Sequence, residues 1–250
     1  MTAEPRPVVL GPAYYADGTP SAWRDVRALL HPPYTAWHLA YVVIGGLLAR
    51  REDWAVLGAT VLAFFLAVGV AAHALDELNG RPLATRLPSW ALVAAAAFSL
   101  AGAVAIGALG VERLGVGLVG FMVVGVVLVL GYNLELLGGR LHSDVVFAAA
   151  WGGFPVLVAA FAEEKALSWP AVVVAAAAAL LAASQRALST PARELRRQVK
   201  VVRGTVEYRD GRLEAIDAAA LARPFERSLR LMSWGMTGLA VGLVLARAFG

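Results

Sequence analysis

Ionisable side chains stand at the ends of long apolar runs in four places along this chain. They are His38 in HPPYTAWHLAYVVIGG, His73, Asp76 and Glu77 in AVGVAAHALDELNGRP, Glu135 in VLGYNLELLGG, and His142 with Asp144 in GGRLHSDVVF. Titratable groups at membrane depth are expensive to hold there, so they mark a site whose partners must be found. His73 and Asp76 are three residues apart and His73 and Glu77 four, which puts both pairs on one helix face. Imidazoles with carboxylates suit Fe, Mn or Zn, whereas carboxylates with water and phosphate suit Mg²⁺. The candidate metal ligands are therefore His38, His73, Asp76, Glu77, Glu135 and His142, with Asp76, Glu77 and Glu135 as candidate catalytic acids. Asn79, Arg81 and Arg86 flank the second stretch, and arginine's forked donors suit phosphate. Plainer roles stand beside these. His73 could pair with the acids of its own helix, His38 could bond a neighbouring helix, Asp144 could N-cap the next helix, and the arginines could anchor a membrane face.

The elements that position these groups follow from composition. The 250 residues are 59% hydrophobic and 16% charged, with mean hydropathy +0.67. Soluble domains are nearer ~45–50% apolar and ~25% charged. The excess lies in bilayer-length runs, so the expected class is an all-α, polytopic transmembrane bundle. Cysteine is absent, which excludes disulfides and thiolate metal sites. The opening MTAEPRPVVLGPAYYADGTP lacks the apolar core of a signal peptide. The net charge of +4 comes from basic residues beside the spans, which points to topology and anionic lipid rather than nucleic acid.

At ~20 residues per crossing, about seven spans are expected, near 34–49, 54–77, 89–111, 115–137, 145–162, 168–184 and 230–249. With a cytoplasmic N-terminus, only Arg50, Arg51, Arg113, Lys165 and Arg247 of the 22 basic residues fall outside, the arrangement the positive-inside rule favours. All the ionisable clusters then share the cytoplasmic face of a multi-pass plasma-membrane protein. The organisation is an N-terminal arm (1–33), a six-helix bundle (34–184), a small basic cytoplasmic loop or cap (185–229) and a last span (230–250). Within the loop, Ser189 and Thr190 are expected to N-cap a basic helix before Pro191, and Asp210-Gly211 between β-branched residues signals a hairpin. The lysines, Lys165 and Lys200, lie in loops, so a retinal-binding bundle is excluded. Neither a phosphate-binding Gly-Lys-Ser/Thr loop nor a Gly-x-Ser-x-Gly elbow occurs.

Three stretches resemble the UbiA-type intramembrane prenyltransferases. HPPYTAWHLAYVVIGGLLA is similar to their first helix, with Thr35 and Gly45 in place, His31 where an arginine is usual and Tyr41 where a proline is usual. In FFLAVGVAAHALDELNGRPLATRLPSWAL, Asp76, Arg81, Pro82 and Arg86 keep the order of the family's first acidic motif and catalytic loop. GYNLELLGGRLHSDVVFAAAWGGFPVL is similar to the connection between the family's fourth and fifth helices. The resemblance implies Mg²⁺-dependent transfer of a prenyl group from a lipid diphosphate to a small acceptor at the cytoplasmic side. It also implies substrate contacts from Tyr132, Asn133 and Arg140 beside Asn79, Arg81 and Arg86. The chain departs from the family in having AHALDELNG for an Asn-Asp-x-x-Asp motif, SQRALSTPAREL where a second acidic motif belongs, and seven spans for nine. A His/carboxylate metalloenzyme acting on a lipophilic substrate, and a non-enzymatic or ion-handling subunit of a larger complex or homo-oligomer, are the other readings.

Overall fold

A computed structural model describes residues 11–16 and 19–250; the stretch MTAEPRPVVL lies outside the described residues. Long runs of alanine, valine and leucine leave the backbone no solvent partner in lipid, so it closes its hydrogen bonds within helices. These are α1 (Ala22–Leu30), α2 (Pro32–Gly46), α3 (Trp54–Leu78), α4 (Ser89–Leu114), α5 (Gly117–Asn133), α6 (Asp144–Glu164), α7 (Trp169–Arg197) and α8 (Ala218–Phe249). Five of them, α3, α4, α6, α7 and α8, are long and apolar enough to cross a membrane. At 15 and 17 residues, α2 and α5 are shorter than the ~20 that a perpendicular crossing needs.

Polar contacts tie one end of the bundle together. Glu163 accepts from the Asp53 amide at 2.7 Å and Glu164 from the Arg50 amide at 2.9 Å. Arg113 pairs with Asp53, and Arg247 reaches Glu52 and the carbonyls of Leu47 and Ala49. Helices approach closely where side chains are missing. A Cβ on Gly45 would stand 2.5 Å from the Val156 carbonyl oxygen, and one on Gly152 would stand 2.5 Å from that of Ala178. Those glycines let α2 meet α6 and α6 meet α7 backbone to backbone.

Two expectations about the last third of the chain are corrected. Ser189 and Thr190 start no new helix, because α7 runs unbroken through Pro191. The ring removes one backbone donor, the one that would meet the Ala187 carbonyl; nearby, Ser189 Oγ donates to the Arg186 carbonyl at 3.2 Å. The 185–229 segment is accordingly less a loop than a continuation of two helices around a hairpin. At 1.5 Å per residue, α7 is ~43 Å long and α8 ~48 Å, well beyond a hydrocarbon core of ~30 Å. The overshooting turns pack on one another through Ala192, Leu229 and the Arg196–Glu226 ion pair. Between them β1 (Gly204–Glu207) and β2 (Leu213–Ile216) pair antiparallel across Asp210-Gly211, with Gly211 at φ +83°. Under the overshoot, Ala13, Tyr14, Tyr15 and Ala16 join Ala28, Ala192 and Leu229 in a second small core.

Candidate functional site

α3 and α6 each contain a stretch of π-helix, over Phe65–Ala72 and Ala148–Gly153. Such widened turns rotate the next residues away from their places on a regular helix and recur at functional sites. Immediately after the first of them, α3 presents His73 and Asp76 to a cavity of about 500 Å³ at the end of the bundle opposite the Asp53–Glu163 contacts. α2 contributes Tyr34 and His38, the α1–α2 junction His31, and the 11–16 segment Tyr14 and Tyr15. The end of α5 contributes Tyr132 and Asn133, the turn after it Glu135 and His142, and α7 contributes Gln185, Arg186, Arg193, Arg196 and Arg197. The expected residues His38, His73, Asp76, Asn79, Tyr132, Asn133, Glu135 and His142 thus meet around one space. Glu77, Arg81, Arg86 and Arg140 do not line it.

Glu77 is wholly buried and turned toward the α3–α4 loop. Its carboxylate accepts from the amides of Leu83 and Thr85, at 2.9 and 2.8 Å, and from Thr85 Oγ1 at 2.8 Å. Arg81 spans the same loop to the Leu87 carbonyl and Ser89 Oγ, both at 2.6 Å. Arg86 is held at 2.9 Å by Asp25, which also takes Arg24 at 3.0 Å. Arg140 is exposed. Burial raises the affinity of the Asp25 carboxyl for its proton, but the hydrogen bonds and charge of Arg86, with Arg24, outweigh burial and hold it below the ordinary carboxylate range. A lowered folded-state value adds stability above the unfolded value of ~4 and loses it as pH falls through the folded one. Thermal stability in detergent is therefore expected to drop as pH falls below about 4, and Asp25→Asn is expected to flatten that drop.

Inside the cavity the histidines do not converge on a point. His31 and His73 stack with ring centres 4.3 Å apart and planes 16° apart, so their ring nitrogens cannot both aim at one ion between them. His73 Nδ1 lies 3.1 Å from the Gly69 carbonyl and is held as the donor, which leaves Nε2 as a base. The tautomer follows from that contact. His142 likewise sets Nδ1 3.2 Å from the Tyr132 carbonyl and stacks on the Tyr132 ring. His31 takes the Tyr15 hydroxyl at 2.7 Å on Nδ1, and burial, then the neighbouring His73 and Arg197, push it well below its usual value into the neutral form. His31 Nε2 and both nitrogens of His38 are buried with no hydrogen bond among the described residues. Asp76 has no hydrogen bond or ion pair there either, since its helix neighbour His73 is turned to Gly69. The cap of α6 is Ser143, whose Oγ takes the Val146 amide, while Asp144 pairs with Arg186.

The described residues contain no group of three or more His, Asp or Glu placed to share a metal ion. One unpartnered carboxylate facing a cavity does fit Mg²⁺, which is commonly held by one or two carboxylates plus substrate phosphate.

An apolar cleft of about 450 Å³ runs between α3, α4, α5 and α6, along α4 from Leu100 to Leu114 and past Met122 and Phe154. That length of helix is ~21 Å. The cleft's wall includes Val104 and Leu109, both exposed on the outside of the bundle. Cleft and polar cavity share Val68 and Trp151. Arg186, Arg193 and Arg197 are not among the residues expected from sequence, yet their spacing of seven and then four puts them on one helix face. That signal is visible only once α7 is carried through Pro191. Comparison with protein-family models, curated proteins and solved structures returns no significant match.

Proposed function

We propose that this chain is a divergent, prenyltransferase-like enzyme of the plasma membrane, crossing it seven times with the cavity end in the cytoplasm. Its substrate is an amphiphile with a phosphate or diphosphate head and an isoprenoid tail. The reading is carried by the adjacency of a polar cavity and a long apolar cleft, whose walls share Val68 and Trp151. In support of the orientation, the basic residues Arg50, Arg51, Arg113, Lys165 and Arg247 are the few away from the cavity end.

In this scheme the head lies against α7's arginines and Asp76, and the tail lies along α4. Transfer breaks the allylic C–O bond, whose electron pair leaves on the phosphate oxygen. A pair from the acceptor forms the new bond, and the acceptor's proton passes to a base such as His73 Nε2. Asp76 would hold Mg²⁺ together with the phosphate, and the ion when bound supplies Lewis-acid neutralisation of the leaving group. Aromatic walls from Tyr34, Tyr132 and Trp151 exclude water from the allylic carbon.

Thermal unfolding of the purified protein with farnesyl diphosphate, farnesol or inorganic pyrophosphate tests this. The whole amphiphile is expected to raise the midpoint well beyond either fragment, because only it fills both compartments. Equal shifts with farnesol, or none with any of the three, would remove the proposal.

A further inference from the structure

We propose that Arg193 and Arg197 form the headgroup clamp of this site, so that the phosphorylated lipid binds without a divalent cation. The inference rests on the amphiphile reading above and assigns its charge recognition to α7.

Most arginines near the cavity are already used. Arg186 pairs with Asp144 and donates to the Tyr132 hydroxyl at 2.6 Å. Arg196 is bound by both oxygens of Glu226. Arg24 and Arg86 share Asp25. Arg193 and Arg197 are different. Among the described residues Arg193 donates only to Thr190 Oγ1, at 3.2 Å, and Arg197 only to the Pro12 carbonyl, at 3.1 Å. A guanidinium has five donors, so each keeps most of them free. Their spacing of four residues stacks them on one face of α7, and both line the cavity.

Facing them is Asp76, with no pair formed among the described residues, and over the whole lining four guanidinium groups stand against two carboxylates, Asp76 and Glu135. The wall also holds the nitrogens of His38, a side chain only 5% exposed, and the buried Nε2 of His31, none of them hydrogen-bonded among the described residues. Buried polar atoms are normally bonded, and a wall with several open positions is shaped for a polar ligand not yet counted. The surplus is positive, so that ligand is an anion. Planar forks a helical turn apart match the oxygens of a phosphate or diphosphate, and charge-assisted bonds of this kind are about twice as strong as neutral ones. The Pro12 carbonyl holds Arg197 Nε in place, so part of its ordering has been done before a ligand arrives.

Binding of farnesyl diphosphate to the full-length protein in detergent, in EDTA and in Mg²⁺, is the test, with farnesol and inorganic pyrophosphate as further arms. Affinity in EDTA is expected to stay within about threefold of that in Mg²⁺. R193A/R197A is expected to weaken binding by ~100-fold or more, from two lost charged contacts of ~1.5–3 kcal/mol each. R193K/R197K keeps the charge without the fork, is the safer variant for folding, and is expected to lose ~10-fold. Binding that vanishes in EDTA overturns the clamp whatever the variants do, and so does metal-free binding that neither variant weakens; both leave the amphiphile reading intact. Pyrophosphate binding as tightly as the lipid, with the same dependence on the variants, upholds the clamp and sinks the lipid. No binding of any arm removes both.

Discussion

Glu77→Ala is expected to destabilise the protein by ~3–5 kcal/mol, the range for removing one partner from a buried charged network. The carboxylate is fully buried, and three donors from the α3–α4 loop end on it. Alanine leaves the amides of Leu83 and Thr85 and the Thr85 hydroxyl without an acceptor in a site closed to water, each at ~1–3 kcal/mol if no rearrangement rescues it. Glu77→Gln keeps one acceptor and should fall between. Denaturant or thermal unfolding in detergent measures the difference. A Glu77→Ala protein within ~0.5 kcal/mol of the parent, the scatter of an ordinary surface change, would show that the loop does not depend on this carboxylate.

Its neighbour should behave in the opposite way. Asp76→Asn is expected to lower turnover by ~10²–10³-fold, typical for one group aimed at charge in a transition state, while metal-free binding of the lipid is kept. Stability is expected to stay level or rise, because a half-buried carboxylate without a hydrogen bond or ion pair costs folding energy. Two adjacent acids thus separate into one that holds the loop and one that faces the cavity. If Asp76→Asn loses stability and keeps function, the roles given to the pair are wrong.

That separation marks the limit of what the residues alone disclose. His38, His73, Asp76, Asn79, Glu135 and His142 are expected at one depth, since charge asymmetry and run length fix depth, and they do line one cavity. Depth leaves direction open. Spacing puts His73, Asp76 and Glu77 on one face of a regular helix, but an i, i+4 face is ~100° wide, and Glu77 falls on the side where the 83–85 amides wait. The hairpin is legible because Asp210-Gly211 is a local signal needing no tertiary partner. Pro191 misleads for the reverse reason: local chemistry forecasts a break, and packing of α7 on α8 through Ala192 and Leu229 carries the helix past it. The clamp arginines are hidden by the same error. The cleft has no signal at all in the sequence, for it is made of gaps between alanines and glycines on four helices.

The central claim is that cavity and cleft are one binding site for one molecule. A prenyl diphosphate analogue with a diazirine at the far end of its tail addresses it directly, with cross-linked peptides mapped by mass spectrometry. Adducts are predicted between Gly107 and Met122 and around Phe154, lost on adding farnesyl diphosphate and retained on adding farnesol. Adducts scattered over the outer faces of α7 and α8, or labelling unaffected by the diphosphate, would contradict it.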